Sequence, residues 1–304
     1  MNARAGGSAA RTERTGPAAL YTARVGIVSP PAGATPAAAT HGRVAAWVVG
    51  DGPVVMLVHG VAFGPGTLAV ASGAVAAAGA RAVVPHRGGY GASGGVAPAA
   101  DLDAQVDDLV GVLDAMGVAR AVWAGVSGGA TIALAAAVRR PERVAGVLLH
   151  EPALGTLADE LHARLRRAAA AVAAAADPGE GALDLARALA GPDGWARVGA
   201  QVRRDIRTAG PAVRSEIALF PAFAPSPADL RALRGLPLIS SVGARSGPER
   251  HRAGQVLVSL TGGTAALTPS GHLVQIEAPS SLAELAVGLV RPAPSRTPTA
   301  EEDG

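Results

Sequence analysis

Gly125-Val126-Ser127-Gly128-Gly129 matches the pattern G-x-S-x-G. The chemistry it offers is nucleophilic: small neighbours permit a tight, strained turn that pushes a serine hydroxyl out where a base can take its proton. Alone the pattern carries little. With 15 Ser and 40 Gly in 304 residues, chance supplies 15 × (40/304)², about a quarter of a match. The surroundings are more specific, because Ala121-Val122-Trp123-Ala124 reads as an apolar strand directly before the motif and Thr131 to Val138 as a strong helix directly after it. A helix N-terminus behind Ser127 also favours negative charge, through free backbone N–H groups and the helix dipole, and that suits a developing oxyanion. Other chemistries are missing. There is no cysteine, which excludes disulfides, thiolate metal sites and a Cys nucleophile. No P-loop is present and no His/Asp/Glu cluster has ligand spacing, so neither a cofactor nor a metal is expected.

The elements that must position Ser127 alternate along the chain. Arg43 to Gly50 and Val54 to His59 read as strands joined by the turn Asp51-Gly52-Pro53, a pair expected to form a hairpin. A helical stretch from about Thr67 to Ala78 leads to a strand at Arg81 to Val84, and a helix from about Leu102 to Met116 leads to a strand at Arg120 to Gly125. After the motif, the apolar helix Gly129 to Val138 ends before Pro141 and a strand follows at Arg143 to His150. Short apolar runs alternating with helices predict a parallel sheet with crossover helices. From Pro152 to about Gly235 the strand signals vanish, leaving Ala-, Leu- and Arg-rich helical patterns broken at Asp177-Pro178-Gly179, Gly191-Pro192-Asp193 and Gly210-Pro211. Strands resume at Leu238 to Val242 and Thr264 to Leu267, before a final helix from about Ser280 to Val290. The expected organisation is a loose tail over 1–20, a core formed by 21–151 and 236–290, a helical insertion over 152–235, and a second tail over 291–304.

Composition narrows the function classes. Hydrophobic residues at 49% and charged residues at 17% describe a folded chain with a sizeable core. The calculated pI of about 10.4 resembles a nucleic-acid signal. However, the formal net charge is only +3 and every basic residue is Arg, spread among acids, with aromatics at 3%. A stacking platform beside a basic groove is therefore not expected, and no nucleic-acid partner. The N-terminal stretch lacks the apolar run of a secretory signal, and the Ala-rich stretch Leu68 to Ala80 is too short to span a bilayer. A cytoplasmic protein without a membrane partner is expected.

Four landmarks together resemble the α/β-hydrolase family over roughly residues 40 to 290. They are His59-Gly60 at a strand end, Arg87-Gly88-Gly89-Tyr90-Gly91-Ala92-Ser93 after the next strand, the turn at Ser127, and Ser270-Gly271-His272 near the C-terminus. Arg140-Pro141-Glu142-Arg143-Val144 and Glu277-Ala278-Pro279 are also similar to common stretches of that family. The resemblance implies a mostly parallel, doubly wound α/β sheet with a helical cap insertion. It further implies that the backbone N–H groups of Val61 and Gly128 form an oxyanion hole. In the family's chain order the base lies C-terminal to the nucleophile, which leaves His150, His162, His251 and His272. His272 is the choice, on a loop after a late strand, whereas His251 sits in an Arg-rich helix.

The acid departs from the family pattern. It usually follows the strand after the insertion as G-x-x-D, but Gly243-Ala244-Arg245-Ser246 has serine there, which cannot compensate an imidazolium. Some members, haloalkane dehalogenases among them, carry the acid one strand earlier, and here that position is Glu151. Glu249 and the absence of any acid are the alternatives, and a surface ion pair is the non-catalytic reading of Glu151. Dehalogenases and epoxide hydrolases use an aspartate nucleophile, so Ser127 disfavours both. Gly64-Pro65-Gly66 is weakly similar to carbon–carbon bond hydrolases.

The insertion should cap Ser127 and set specificity. It is rich in Ala, Leu and Val, with Trp195, Phe220 and Phe223 as its large aromatics, so a small-molecule apolar acyl substrate is expected. Arg203, Arg204 and Arg207 either attract an anionic group or form a solvated helix face. The leading expectation is a serine hydrolase acting on a carboxylic ester, thioester or lactone through an acyl-enzyme. The alternatives are a relative of the fold with a non-hydrolytic role, ligand binding or cyclisation/lyase chemistry, motivated by the missing G-x-x-D acid, or a carbon–carbon bond hydrolase.

Overall fold

The computed structural model describes residues 43–290 and the backbone of a strand at Thr35–Ala37. The expected tails, 1–20 and 291–304, lie outside the described residues. In chain order the elements are β1 (Thr35–Ala37), β2 (Ala46–Val49), β3 (Val54–Val58), α1 (Ala69–Ala77), β4 (Arg81–Pro85), α2 (Leu102–Ala115), β5 (Ala121–Val126), α3 (Gly128–Arg139) and β6 (Val144–His150). Helices α4 (Asp159–Ala174), α5 (Pro178–Arg197), α6 (Ala200–Thr208), α7 (Gly210–Glu216), α8 (Leu219–Ala222) and α9 (Pro227–Ala232) follow. The chain then returns to β7 (Leu238–Gly243), α10 (Pro248–Thr261), β8 (Thr264–Thr268), α11 (Val274–Glu277) and α12 (Pro279–Gly288).

The strands form one eight-stranded sheet in the order β1-β2-β4-β3-β5-β6-β7-β8. β1 and β2 pair antiparallel, as do β2 and β4, and every other pairing is parallel. Alternation along the strands splits the core between the two faces. Met56 and Trp123 point to the side covered by α2 and α3, with Leu109 and Ile132. Val55, Leu57 and Val122 point to the side covered by α1 and α12, with Val75 and Leu282. Central strands buried on both faces read as unbroken apolar runs: all six residues of β5 are buried.

The expected hairpin of the first two strands does not form. β2 and β3 lie on opposite sides of β4, Val49 pairing with Ala82 from one side and Val55 from the other. Gly50 and Gly52, at φ 78° and 105°, carry the chain past the end of β4, and a Cβ on Gly52 would stand 2.5 Å from the Gly79 carbonyl oxygen. Interposing β4 lets the apolar β3 bury both edges as well as both faces.

Between β6 and β7 the chain is helical, as the lost strand signal predicts. Its breaks fall where local chemistry demands them. Asp177 caps α5 by accepting the Glu180 N–H at 2.8 Å, with Pro178 in the first turn. Gly191 (φ 65°, ψ 174°) interrupts α5 just before Pro192. Ser226 and Asp229 close a capping box at α9, which leads the chain back to the sheet.

Candidate active site

Ser127 sits between β5 and α3 at φ 54°, ψ −118°, half-buried among buried neighbours. A non-glycine residue in that region stores about 1–3 kcal/mol, and here the surroundings enforce it. Its N–H donates to the His150 carbonyl at 2.9 Å, and its carbonyl accepts the Thr131 N–H at 3.0 Å, opening α3. Close approach of backbone to backbone explains the flanking glycines. A Cβ on Gly125 would meet the Gly129 carbonyl oxygen at 2.3 Å, and one on Gly129 would meet the Val58 carbonyl oxygen at 2.2 Å. Neither contact is with a side chain that could swing aside. Gly129→Ala is accordingly expected to cost about 3 kcal/mol of stability, read from the urea midpoint; a midpoint equal to wild type would contradict this packing.

The strand registers bring the other groups to the same edge. Val126 is level with His150, and His150 with Ser241, so the residues following β5 and β6 emerge side by side at the C-terminal end of the sheet. Glu151 leaves β6 at φ 45°, its N–H held by the Ser241 carbonyl at 3.0 Å. Its carboxylate is fully engaged. Oε1 accepts the Gly243 N–H at 2.8 Å, and Oε2 accepts His272 Nδ1–H at 2.7 Å and lies 3.2 Å from Arg250 Nε. With a side-chain exposure of 0%, Glu151 is no surface ion pair.

His272 arrives on the loop after β8. Gly243 and Gly271 let the β7 and β8 loops cross, since a Cβ on Gly243 would stand 2.4 Å from the Gly271 carbonyl oxygen. Because Nδ1 carries the proton that Glu151 accepts, the neutral ring leaves Nε2 free to act as a base. Burial lowers the His272 pKa below its ordinary 6.5, and the Arg250 cation pushes the same way, while Glu151 opposes both. For Glu151, burial works upward, but the His272 hydrogen bond and the His272 and Arg250 charges outweigh it and hold the carboxyl well below the usual range.

The remaining sequence candidates lie elsewhere. Glu249 accepts from Arg164 at 2.9 Å, not from His272. His150 is buried within β6 with Nδ1 3.0 Å from Ser241 Oγ, and burial depresses it to about 4 against the opposing Glu151 charge, with Arg250 adding to the depression. His162 stands on α4 and His251 on α10. Arg207 pairs with Glu180, Arg204 with Gln201, and Arg203 stacks over Trp195, so these three arginines form an exposed, internally paired face.

Val61 and Gly128 are neighbours. A Cβ on Gly128 would come within 2.8 Å of Val61 Cγ2 and 2.9 Å of Phe220 Cζ, which also shows that α8 lays an aromatic ring against the turn. Among the described residues, the hydrogen bonds around the turn use neither the Val61 nor the Gly128 N–H. Trp195, in contrast, is held under Arg187 and Arg203.

Arg250 escapes the sequence motifs. Its signal was positional: Arg250, Ala253, Gly254, Leu257 and Thr261 form the buried stripe of α10, and an arginine in such a stripe requires a buried partner. Among the described residues no cluster of His, Asp and Glu could hold a metal ion, and no helix is long and apolar enough to cross a membrane.

Residues 53–220 match the family described as alpha/beta hydrolase fold. An epoxide hydrolase of Caballeronia sordidicola is 39% identical over 100 residues, which is 32% of this chain and about 30% of the length of that relative. Among solved structures, a hydrolase from Pseudomonas aeruginosa PA01 superposes with TM-score 0.68 at 19% identity, covering 82% of this chain and 95% of its own. A malate-bound thermophilic esterase from Thermogutta terrifontis gives 0.67 at 24%, covering 82% and 93%. Those two likenesses establish the fold, and the family match covers more than half of the sequence. The chain belongs to the alpha/beta hydrolase fold family.

Proposed function

We propose that this protein is a serine hydrolase that cleaves a carboxylic ester, thioester or lactone. Ser127 is the nucleophile, His272 the base and Glu151 the acid, with the N–H groups of Val61 and Gly128 as oxyanion donors. The observation that carries the reading is the buried Glu151–His272 hydrogen bond of 2.7 Å at the sheet edge where the strained Ser127 stands. In the first half-reaction Ser127 Oγ bonds to the substrate carbonyl carbon as its proton passes to His272 Nε2. The carbonyl π electrons move onto oxygen beside the two N–H groups. Collapse expels the alcohol or thiol, which takes the proton from Nε2. Water then repeats the sequence and releases the acid. Donors of this kind contribute a factor of about 10² to 10³ in rate.

The acid missing after β7 motivates a non-hydrolytic alternative, and Glu151 against His272 favours the hydrolytic reading over it. Epoxide opening, named for one relative, is disfavoured by serine where an aspartate nucleophile would be needed. Phe220 beside Gly128 favours an apolar acyl group. A fluorophosphonate should add covalently to Ser127, with peptide mapping locating the adduct; no adduct, or an adduct elsewhere, would reject the reading.

The base also sets a pH dependence. Catalysis needs neutral His272, so kcat/KM is full above its pKa and lost as pH falls through it. Since that pKa is lowered, the acid limb should have its midpoint below 6.5. The charged and titratable groups facing His272 are Glu151 just after β6, with His150 of β6 beside it, Arg250 from α10, and Arg164 from α4. Arg250→Met removes a cation that disfavours the imidazolium and should move the limb upward. An unmoved limb would mean that Arg250 does not tune the base.

A further inference from the structure

A second buried polar network stands beside the oxyanion loop, and its only carboxylate comes from the insertion. Glu216, on α7, receives both Nη groups of Arg87, the Tyr90 hydroxyl and, at 3.3 Å, Gln105 Nε2. Arg87, Tyr90, Gln105 and Glu216 are each at most 4% exposed. A buried ion pair is weak evidence for stability, because desolvation offsets most of its attraction. What the donors do with their remaining bonds is more informative.

Arg87 Nη2 also donates to the Gly60 carbonyl at 2.9 Å. His59 grips the same oxygen. Its Nε2 accepts the Arg87 N–H at 3.4 Å, so Nδ1 carries the proton and donates to the Gly60 carbonyl at 3.0 Å. Burial, reinforced by the Arg87 charge, holds the His59 pKa well below 6.5 and keeps that tautomer neutral. On the far side of Val61, the Ala62 N–H donates to the Tyr90 hydroxyl at 3.3 Å, with Ala62 at φ 66°.

The Gly60 carbonyl and the Val61 N–H belong to one peptide unit. That unit is planar and trans, so an oxygen fixed on one side aims the N–H to the other. Charge-assisted donation to the oxygen also polarises the unit and strengthens the N–H as a donor. We infer that Glu216 of the insertion is a positioning residue that, through Arg87 and Tyr90, locks the peptide presenting the Val61 N–H, so that docking of α7 completes the oxyanion site. The catalytic consequence rests on the serine-hydrolase reading; the locking of the loop does not.

Both are tested with Tyr90→Phe, which deletes one hydroxyl without leaving a buried charge, and Glu216→Gln. Hydrogen–deuterium exchange is followed in the segment 59–64, with segment 238–243 of β7 as an internal reference. Exchange in 59–64 should accelerate about tenfold or more while the reference stays unchanged. On p-nitrophenyl acetate, kcat should fall about tenfold with KM within twofold, since the lost interaction forms with the oxyanion. Unchanged exchange in 59–64, or equal acceleration in the reference, would overturn the locking. Faster exchange with wild-type kcat would overturn the positioning role. A wild-type protein inactive on esters would instead reject the serine-hydrolase reading, and the exchange data would still decide the locking. Should Glu216→Gln fail to fold, Tyr90→Phe decides alone.

Discussion

Ser127→Ala is expected to lower kcat on a p-nitrophenyl ester by about 10⁴- to 10⁶-fold while leaving the thermal midpoint nearly unchanged. The size follows from what the hydroxyl does. On the proposed mechanism, loss of Oγ leaves no acyl-enzyme, and what remains is whatever Val61, Gly128 and binding supply to direct attack by water. The stability expectation follows from the geometry of the turn. Alanine keeps the Cβ that Ser127 already presents at φ 54°, and no side-chain hydrogen bond from Ser127 caps α3. The strain is the same in both proteins, so the variant isolates chemistry from folding. Steady-state kinetics with a melting curve on the same sample is the measurement. Residual kcat above 1% of wild type would assign the nucleophile elsewhere.

Glu151→Gln should cost about 10³- to 10⁴-fold in kcat/KM, with a concurrent loss of stability. Two separate effects act. On the proposed mechanism the amide cannot stabilise the imidazolium that would form as His272 takes the serine proton, and its NH₂ can donate to Nδ1, favouring the tautomer in which Nε2 is already protonated and no longer basic. In addition, Arg250, 5% exposed, loses the anion 3.2 Å from its Nε. Leaving a buried charge uncompensated costs about 3–5 kcal/mol. Adding Arg250→Met to Glu151→Gln should therefore restore stability without restoring activity, which separates the two effects. Glu249→Gln is the control: its partner is Arg164 on α4, and kcat/KM should stay within about threefold. Activity retained by Glu151→Gln and lost by Glu249→Gln would reverse the assignment of the acid.

The elements around the turn were legible because their signals are local. β5 is a run of six buried residues, α3 begins where two glycines permit the backbone to close in, and α5 starts at Asp177-Pro178-Gly179, where a cap and a fixed φ coincide. Each of these is decided within a few residues by sterics or capping. The pairing of β2 with β4 was not legible, since Asp51-Gly52-Pro53 specifies a reversal but not which strand lies alongside. That choice belongs to β3, whose apolar residues leave no face or edge for solvent. Arg250 was hidden for a related reason: its place in the buried stripe of α10 says that a partner must exist, and nothing nearby in the chain says which.

By itself the sequence named the candidate groups: a serine between small residues at a strand-to-helix turn, a histidine on a late loop, and, for the acid, Glu151 at the end of the strand next to the one that carries the serine, with Glu249 or no acid as the alternatives. Tertiary structure alone decided their partners. Glu151 meets His272 across 121 positions, and Arg87 meets Glu216 across 129. Such separations carry no periodicity and no turn chemistry, because they are set by the register of parallel strands and by how the helical insertion comes down on the sheet. Backbone sterics act over a few residues and are written in their order, whereas the pairing of buried charges is fixed only when desolvation forces each to find the other in the folded core.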